Sequence, residues 1–365
     1  MNRIITIINA SRKNDGITIG LIKTASQLKK AGYDVKWYQI KDRYTLNQMP
    51  ASDYTLNGIT FFPEKISMGI SRSRFISKKL RNDISGLVIL SEPTLISFLR
   101  YFPNAIVKFH DFRPFTKFSD KMLTALLYKT QLNTLRKVRF AIFTTEYIRN
   151  EAHKYGIKPE ASLVIKDRPR FGIAQNHLGV SLHRMENKST TVTCISTDRP
   201  YKNIPFFLQL AEQLETRNPK TYKFILVTKP TWKLARMLRH QNKVNVIESV
   251  EDIKSVYEQT DILVIPSQYE GFGLPLIEAS YYGIPTVAYA LPPFIELLGR
   301  SELLQNSFDV LDWAKFVERL SLPSFYKEIS TFLINKATSI ENENINEKLK
   351  SFFDSIFDMV HSGSR

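Results

Sequence analysis

Residues 262–289 constrain the fold more than any other part of the chain. An apolar run at 262–265 ends at Pro266, and a Gly271-Phe272-Gly273 turn follows. A stretch with helical spacing comes next, then Gly283, then a second apolar run at 286–289. Strand, tight turn, helix and strand in so short a span make a βαβ unit, whose two strands must be parallel. A parallel sheet needs helices over both faces, so the chain is expected to be a layered α/β protein.

The same alternation runs through the sequence. Apolar runs at 4–9, 35–40, 59–62, 87–91, 105–110, 140–144 and 163–165 predict strands. Helices are expected at 17–30, stopped by Gly32, and at 120–135 and 146–155, the last with Thr145 as N-cap. Residues 166–189 are polar, basic and aperiodic, and read as a linker. A second series of strands follows at 191–196, 222–228, 244–247, 261–265 and 285–289. A chain of 365 residues exceeds one ordinary core. Domains are expected at 1–180 and 186–335, followed by a C-terminal helical segment at 336–365.

The turn at 271–273 also suggests chemistry. A glycine loop opening a helix presents backbone N–H groups at the positive end of the helix dipole, which favours phosphate. Glu270 precedes the turn, and Glu278 falls about one helical turn beyond it. Carboxylates there can accept hydrogen bonds from sugar hydroxyls, so the arrangement suits a nucleotide sugar. The competing reading is a βαβ unit with two solvated carboxylates. The glycines, Pro266 and the Gly283-Ile284-Pro285 exit favour the ligand site.

This segment resembles the donor-binding signature of the retaining GT-B glycosyltransferases of family 4, the glycosyl transferases group 1 type. That signature reads E-x7-E within P-S-x-x-E-G-F-G-x-x-x-x-E-A-x-x-x-G-x-P-V-V-A; here Thr286 replaces its first valine. The resemblance implies a GT-B fold: two Rossmann-like parallel-sheet domains facing a central cleft, with the C-terminal helix crossing back to the first. It implies a metal-independent glycosyltransferase that moves a sugar, with retention, from a nucleotide-diphosphate sugar to an acceptor hydroxyl on a glycan, lipid-linked or protein-linked molecule. No cofactor is expected beyond that donor substrate, and no metal.

The same resemblance assigns roles. Glu270 and Glu278 would position sugar and ribose, and the backbone of Gly271, Phe272, Gly273 and Leu274 would meet the phosphate. The family's G-R-L-x-x-x-K-N matches residues 196–203 at Lys202-Asn203, while strict spacing puts Thr197 where the arginine belongs and Arg199 two positions later. Lys202 and Arg199 are expected to hold the donor diphosphate; the alternative is a helix-entry turn with solvated charges. Gly16 stands in the family's Gly-Gly loop with one glycine missing. His110-Asp111 matches an H-D pair near the donor sugar, although a lone histidine is more often structural. The base pocket is expected at 228–230 and 246–250, which includes Val250.

The charge, +16 overall, is uneven: residues 1–185 carry +18 and residues 186–365 carry −2. A basic first domain suits an anionic membrane surface, a lipid-phosphate acceptor or, ranked lower, nucleic acid; a solubilising lysine surface explains it equally well. The stretch 70–81, with five cations and four apolar residues, could lie on such a membrane or cover the sheet as an ordinary helix. No apolar run reaches the roughly 18–20 residues that span a bilayer, and no signal peptide is evident. The single cysteine, Cys194, permits no internal disulfide. A cytoplasmic protein, peripheral on the inner membrane face, is expected. Two rival functions are a DNA-modifying glycosyltransferase and a non-catalytic nucleotide-sugar-binding relic.

Overall fold

The structure is a computed structural model. It describes residues 3–9, 16–39, 84–91, 93–116, 131–169, 171–174, 177–186, 190–239, 242–248, 250 and 252–362. The strand expected at 59–62, the basic stretch 70–81 and all but the last turn of the helix at 120–135 lie outside the described residues. The chain forms two compact units, residues 1–167 with 344–365, and residues 168–343.

Unit 1 is built on a parallel sheet. Its described strands are β1 (Ile4–Asn9), β2 (Asp34–Gln39), β3 (Leu87–Leu90), β4 (Ile106–Phe109), β5 (Phe140–Phe143) and β6 (Ala161–Val164), in the order β2-β1-β3-β4-β5-β6. Alternate residues face opposite layers, as the two-residue period of a strand requires. Ile5, Ile7, Ile89, Ile106 and Ile142 pack with helix α1 (Gly16–Lys30). The other face, including Val88, Leu90, Val107 and Phe143, packs with α2 (Glu146–Lys154). Thr145 caps α2 as expected, its hydroxyl accepting from the Ile148 N–H at 3.1 Å.

Unit 2 holds β7 (Thr190–Ile195), β8 (Tyr222–Val227), β9 (Val244–Ile247), β10 (Ile262–Ile265) and β11 (Thr286–Ala288), all parallel, in the order β11-β10-β7-β8-β9. The expected linker at 166–189 is corrected here: it contains helix α3 (His177–Glu186), which packs within unit 2. Among its described side chains His177 and Ser181 are the buried ones, and two polar residues at those positions weaken the apolar periodicity that marks a helix.

Eight helices beyond α3 complete the described chain. They are α4 (Ile204–Arg217), α5 (Trp232–Leu238), α6 (Lys254–Gln259), α7 (Leu274–Tyr281), α8 (Pro292–Leu298), α9 (Val310–Leu320), α10 (Pro323–Glu341) and α11 (Ile345–Ser362). No helix among the described residues is long and apolar enough to cross a membrane.

Glycine 283 fixes how α7 ends. Its φ of +64° is the left-handed conformation, the Ile284 N–H reaches back to the Ala279 carbonyl and the Gly283 N–H to that of Ser280. A Cβ here would stand 2.5 Å from Ser330 Oγ on α10, so the same glycine lets the two helices approach.

The final segment divides later than residue 336. Residues 336–343 stay in unit 2, where Leu333, Ala337 and Ile340 of α10 join its core. Helix α11 belongs to unit 1, with Leu349, Phe353 and Ile356 in the same apolar layer as α1. Tyr33 Oη donates to Asp354 at 2.7 Å, and Arg3 pairs with the same carboxylate.

Candidate active site

In unit 2 the chain moves outward from β7 through β8 to β9, then returns to place β10 on the other side of β7. The loops leaving β7 and β10 therefore diverge, and this is where open α/β sheets bind ligands. Both loops carry the residues singled out above. They are joined by a backbone hydrogen bond from the Gln268 N–H to the Tyr201 carbonyl at 2.7 Å, and the Tyr201 and Tyr269 rings meet edge-on.

Lys202 ends a short turn, Pro200–Lys202, after β7. Its Nζ lies 2.6 Å from Glu270 Oε1, and Ser267 Oγ donates to that same oxygen at 2.8 Å. The two charged side chains retain 18% and 10% exposure, so the pair is shielded yet open to a ligand. Arg199 opens the same turn and is exposed. Asp198, beside it, accepts from both the backbone N–H and the hydroxyl of Thr231, tying the loops after β7 and β8 together.

Gly273 makes the entry to α7. At φ +96° it occupies the left-handed region, and a Cβ would stand 2.2 Å from Phe294 Cε1. Glycine satisfies both constraints, and the turn leaves the amino end of α7 beside the β10 loop. Gly271 and Leu274 are half-buried and Phe272 is buried. Glu278, the fifth residue of α7, is buried, and its Oε2 accepts from Tyr257 Oη of α6 at 2.7 Å. In the expected base pocket, Thr228 is buried with no hydrogen-bond partner for its hydroxyl among the described residues, and Val250 is half-buried.

Unit 1 contains a second polar group at the carboxyl end of its sheet. Lys108, fully buried on β4, donates to Asp167 Oδ1 at 2.7 Å. His110 follows β4, and its Nδ1 lies 3.6 Å from Asp167 Oδ2. Burial works to raise the Asp167 pKa, but Lys108 and His110 outweigh it and hold the carboxyl at about 2. Burial lowers the pKa of His110, reinforced by the Lys108 charge and opposed by Asp167, so the imidazole is neutral at pH 7. Its Nε2 is buried and has no hydrogen-bond partner among the described residues.

Helix α1 closes over this group. A Cβ on Gly20 would stand 2.2 Å from Asp167 Oδ1, so α1 lays bare backbone against the carboxylate. Gly16 is the first residue of α1. Among the described residues no cluster of three or more His, Cys, Asp or Glu could hold a metal ion.

Residues 183–327, which contain every unit 2 feature just described, match the family model for glycosyl transferases group 1. Over that span the chain resembles this family. A curated relative is the O-antigen chain mannosyltransferase RfbU of Salmonella typhimurium, 24% identical over 243 residues, covering 63% of this chain and 65% of RfbU. This chain thus aligns with just under two thirds of that relative's length.

Solved structures extend the likeness across both units. Sucrose-phosphate synthase from Thermosynechococcus elongatus superposes with a TM-score of 0.75 at 14% identity, covering 98% of this chain and 100% of that one. HepE of Anabaena, in complex with UDP and glucose, gives 0.74 at 15% identity, covering 97% and 100%. At such identities the likeness is one of fold, and that fold is GT-B.

Lys202, Glu270, Gly271, Phe272, Gly273 and Leu274 gather where the strand order of unit 2 reverses, with Glu278 behind them in α7. Arg199 shares the loop of Lys202, and Val250 follows β9. His110 and Gly16 belong to unit 1.

Four residues escaped the sequence reading: Ser267, Tyr257, Lys108 and Asp167. Ser267 stands openly in the signature's Pro-Ser pair. Lys108 is flagged by strand alternation, since it shares the inward parity of Ile106. Asp167 lay in the supposed linker, and Tyr257 carries no local signal.

Proposed function

We propose that this chain transfers a sugar, with retention of configuration, from a nucleotide-diphosphate sugar to an acceptor hydroxyl. The observation that supports it best is the Lys202–Glu270 pair set beside the amino end of α7, at the strand reversal of unit 2. A diphosphate arriving there brings negative charge to Lys202. Glu270 would then release Nζ to the phosphate and take up sugar hydroxyls instead. Arg199 and the backbone from Gly271 to Leu274 would share the charge that builds on the leaving group, and charge stabilisation of this kind is commonly the largest catalytic contribution.

Glu278 would hold the ribose, with Tyr257 fixing its carboxylate. Neutral His110 would offer its buried ring edge to a sugar hydroxyl. No side chain in this group is assigned as a nucleophile. The diphosphate departs on the face from which the acceptor hydroxyl attacks, and its own oxygen takes the hydroxyl proton. Lys202, Arg199 and the α7 amino end supply the positive charge, so turnover is expected to survive a chelator.

The name of RfbU puts mannosyl donors first in a donor panel, and the ligands of HepE put UDP-glucose next. The acceptor is assigned to a glycan or lipid-linked molecule, and the protein to the cytoplasmic face of a membrane. The test is nucleotide diphosphate release from a panel of GDP-, UDP- and ADP-sugars, with candidate acceptors, beside the Glu278→Ala variant. Release from one donor, lost in the variant, supports the reading. Absence of both binding and release across the panel overturns it.

A further inference from the structure

Helix α5 presents a surface that the donor site leaves unused. Residues 231–243 include Lys233, Arg236, Arg239 and Lys243 and contain no Asp or Glu, in a half of the chain whose net charge is −2. All four cations are exposed, and none pairs with a carboxylate among the described residues. The nearest carboxylate in the adjoining loop, Asp198, is taken up by Thr231.

The helix itself sorts its side chains sharply. Leu234 is buried and anchors it, while Trp232 is 79% exposed and Met237 40% exposed. Positions 232, 233, 236 and 237 fall on one side of a helix, because residues three and four apart are neighbours. Trp232, Lys233, Arg236 and Met237 therefore form one outward face, mixing an indole and a thioether with two cations. A large aromatic left in water costs free energy unless something covers it.

We propose that this face docks on an anionic lipid bilayer. Trp232 and Met237 would enter the boundary between headgroups and acyl chains, where indole rings favourably sit with an apolar body and a polar tip. The four cations would lie on lipid phosphates, their alkyl stems along the apolar surface. A nucleic acid would satisfy the cations but leave Met237 in water, whereas a bilayer accommodates both. This docking face lies in unit 2, and its cations are not part of the basic excess of the first half of the sequence.

The chain carries its own reporter. It has three tryptophans; Trp313 is fully buried and Trp37 is 9% exposed, so the water-exposed emission comes from Trp232. The experiment is titration of the full chain with phosphatidylcholine vesicles, with and without phosphatidylglycerol. Emission and co-sedimentation are recorded for the wild type, Trp232→Phe and Lys233→Glu/Arg236→Glu.

The expected result is a blue shift with anionic vesicles alone, quenching by brominated acyl chains, and loss of the shift in Trp232→Phe. The charge-reversed variant should partition on the order of 25-fold more weakly, about fivefold for each cation lost, with unchanged thermal unfolding. Absence of binding to anionic vesicles overturns the proposal. Binding without a Trp232 response, or undiminished in the charge-reversed variant, overturns it too and moves the contact elsewhere. A Trp232 response to short duplex DNA but not to vesicles would make this a nucleic-acid surface. Loss of donor binding in Trp232→Phe with vesicle binding intact would make it a wall of the donor site.

Discussion

Lys202 Nζ and Glu270 Oε1 lie 2.6 Å apart although 68 positions separate the residues in sequence. The pair spans the two loops that part at the strand reversal of unit 2, so each residue holds the other where a ligand would enter. Lys202→Ala should lower kcat by about 10²–10³-fold, the usual cost of removing a donor from a developing anion. Glu270→Gln should also reduce turnover. The double variant should lose less than the two single losses combined, because the residues act as a unit. Single-turnover rates for the four proteins would check this; strict additivity would separate their roles.

Gly273→Ala should be strongly destabilising. The φ of +96° alone costs a side chain roughly 1–2 kcal/mol. The clash with Phe294 at 2.2 Å adds an overpacking cost of about 1–3 kcal/mol. Urea unfolding should show a lower midpoint, and Phe294→Leu should recover part of the loss by making room. Equal stability of Gly273→Ala and the wild type would contradict this packing.

The buried Lys108–Asp167 pair should tolerate loss of both charges better than loss of one. Lys108→Met leaves a carboxylate without its cation in a dry site, at a cost of about 3–5 kcal/mol. Adding Asp167→Asn removes the stranded charge and should return most of that stability. Thermal unfolding of the two single variants and the double variant decides the point.

Acid should loosen unit 1 in two stages. The folded pKa of His110 lies below the usual 6.5, so the unfolded chain binds the proton more readily. Its contribution is full above about pH 6.5 and falls as the pH drops toward the folded value. Asp167 titrates near 2 when folded against an ordinary 3.8, so its contribution is present above 3.8 and lost between there and 2. His110→Gln should flatten the decline in melting temperature between about pH 7 and pH 5 and leave the lower stage in place. A wild-type and variant decline of equal slope would remove His110 from that account.

The parts of the fold legible in the sequence are those written in local chemistry. Gly273 and Gly283 bracket α7 because each sits at a positive φ that punishes other residues, and the strands of unit 2 announce themselves as short apolar runs. Glu270, Glu278 and Lys202 stood out because the segments around them resemble a family signature. Their partners did not: Tyr257 meets Glu278 only once α6 packs beside α7, and Asp167 meets Lys108 only when β4 and the end of β6 are neighbours across β5. Helix α3 was hidden for a different reason. It buries the polar His177 and Ser181, which weakens the apolar periodicity that reveals a helix.

Unit 1 is discontinuous, since its sheet is complete by Val164 while α11, which covers part of it, spans Ile345–Ser362. During synthesis, then, the first unit to begin emerging from the ribosome is the last to finish. The layer that receives Leu349, Phe353 and Ile356 must wait uncovered through the translation of all of unit 2, at a time when exposed apolar surface invites misassembly. The order of residues along the message thus gives unit 2 the first opportunity to fold as a whole.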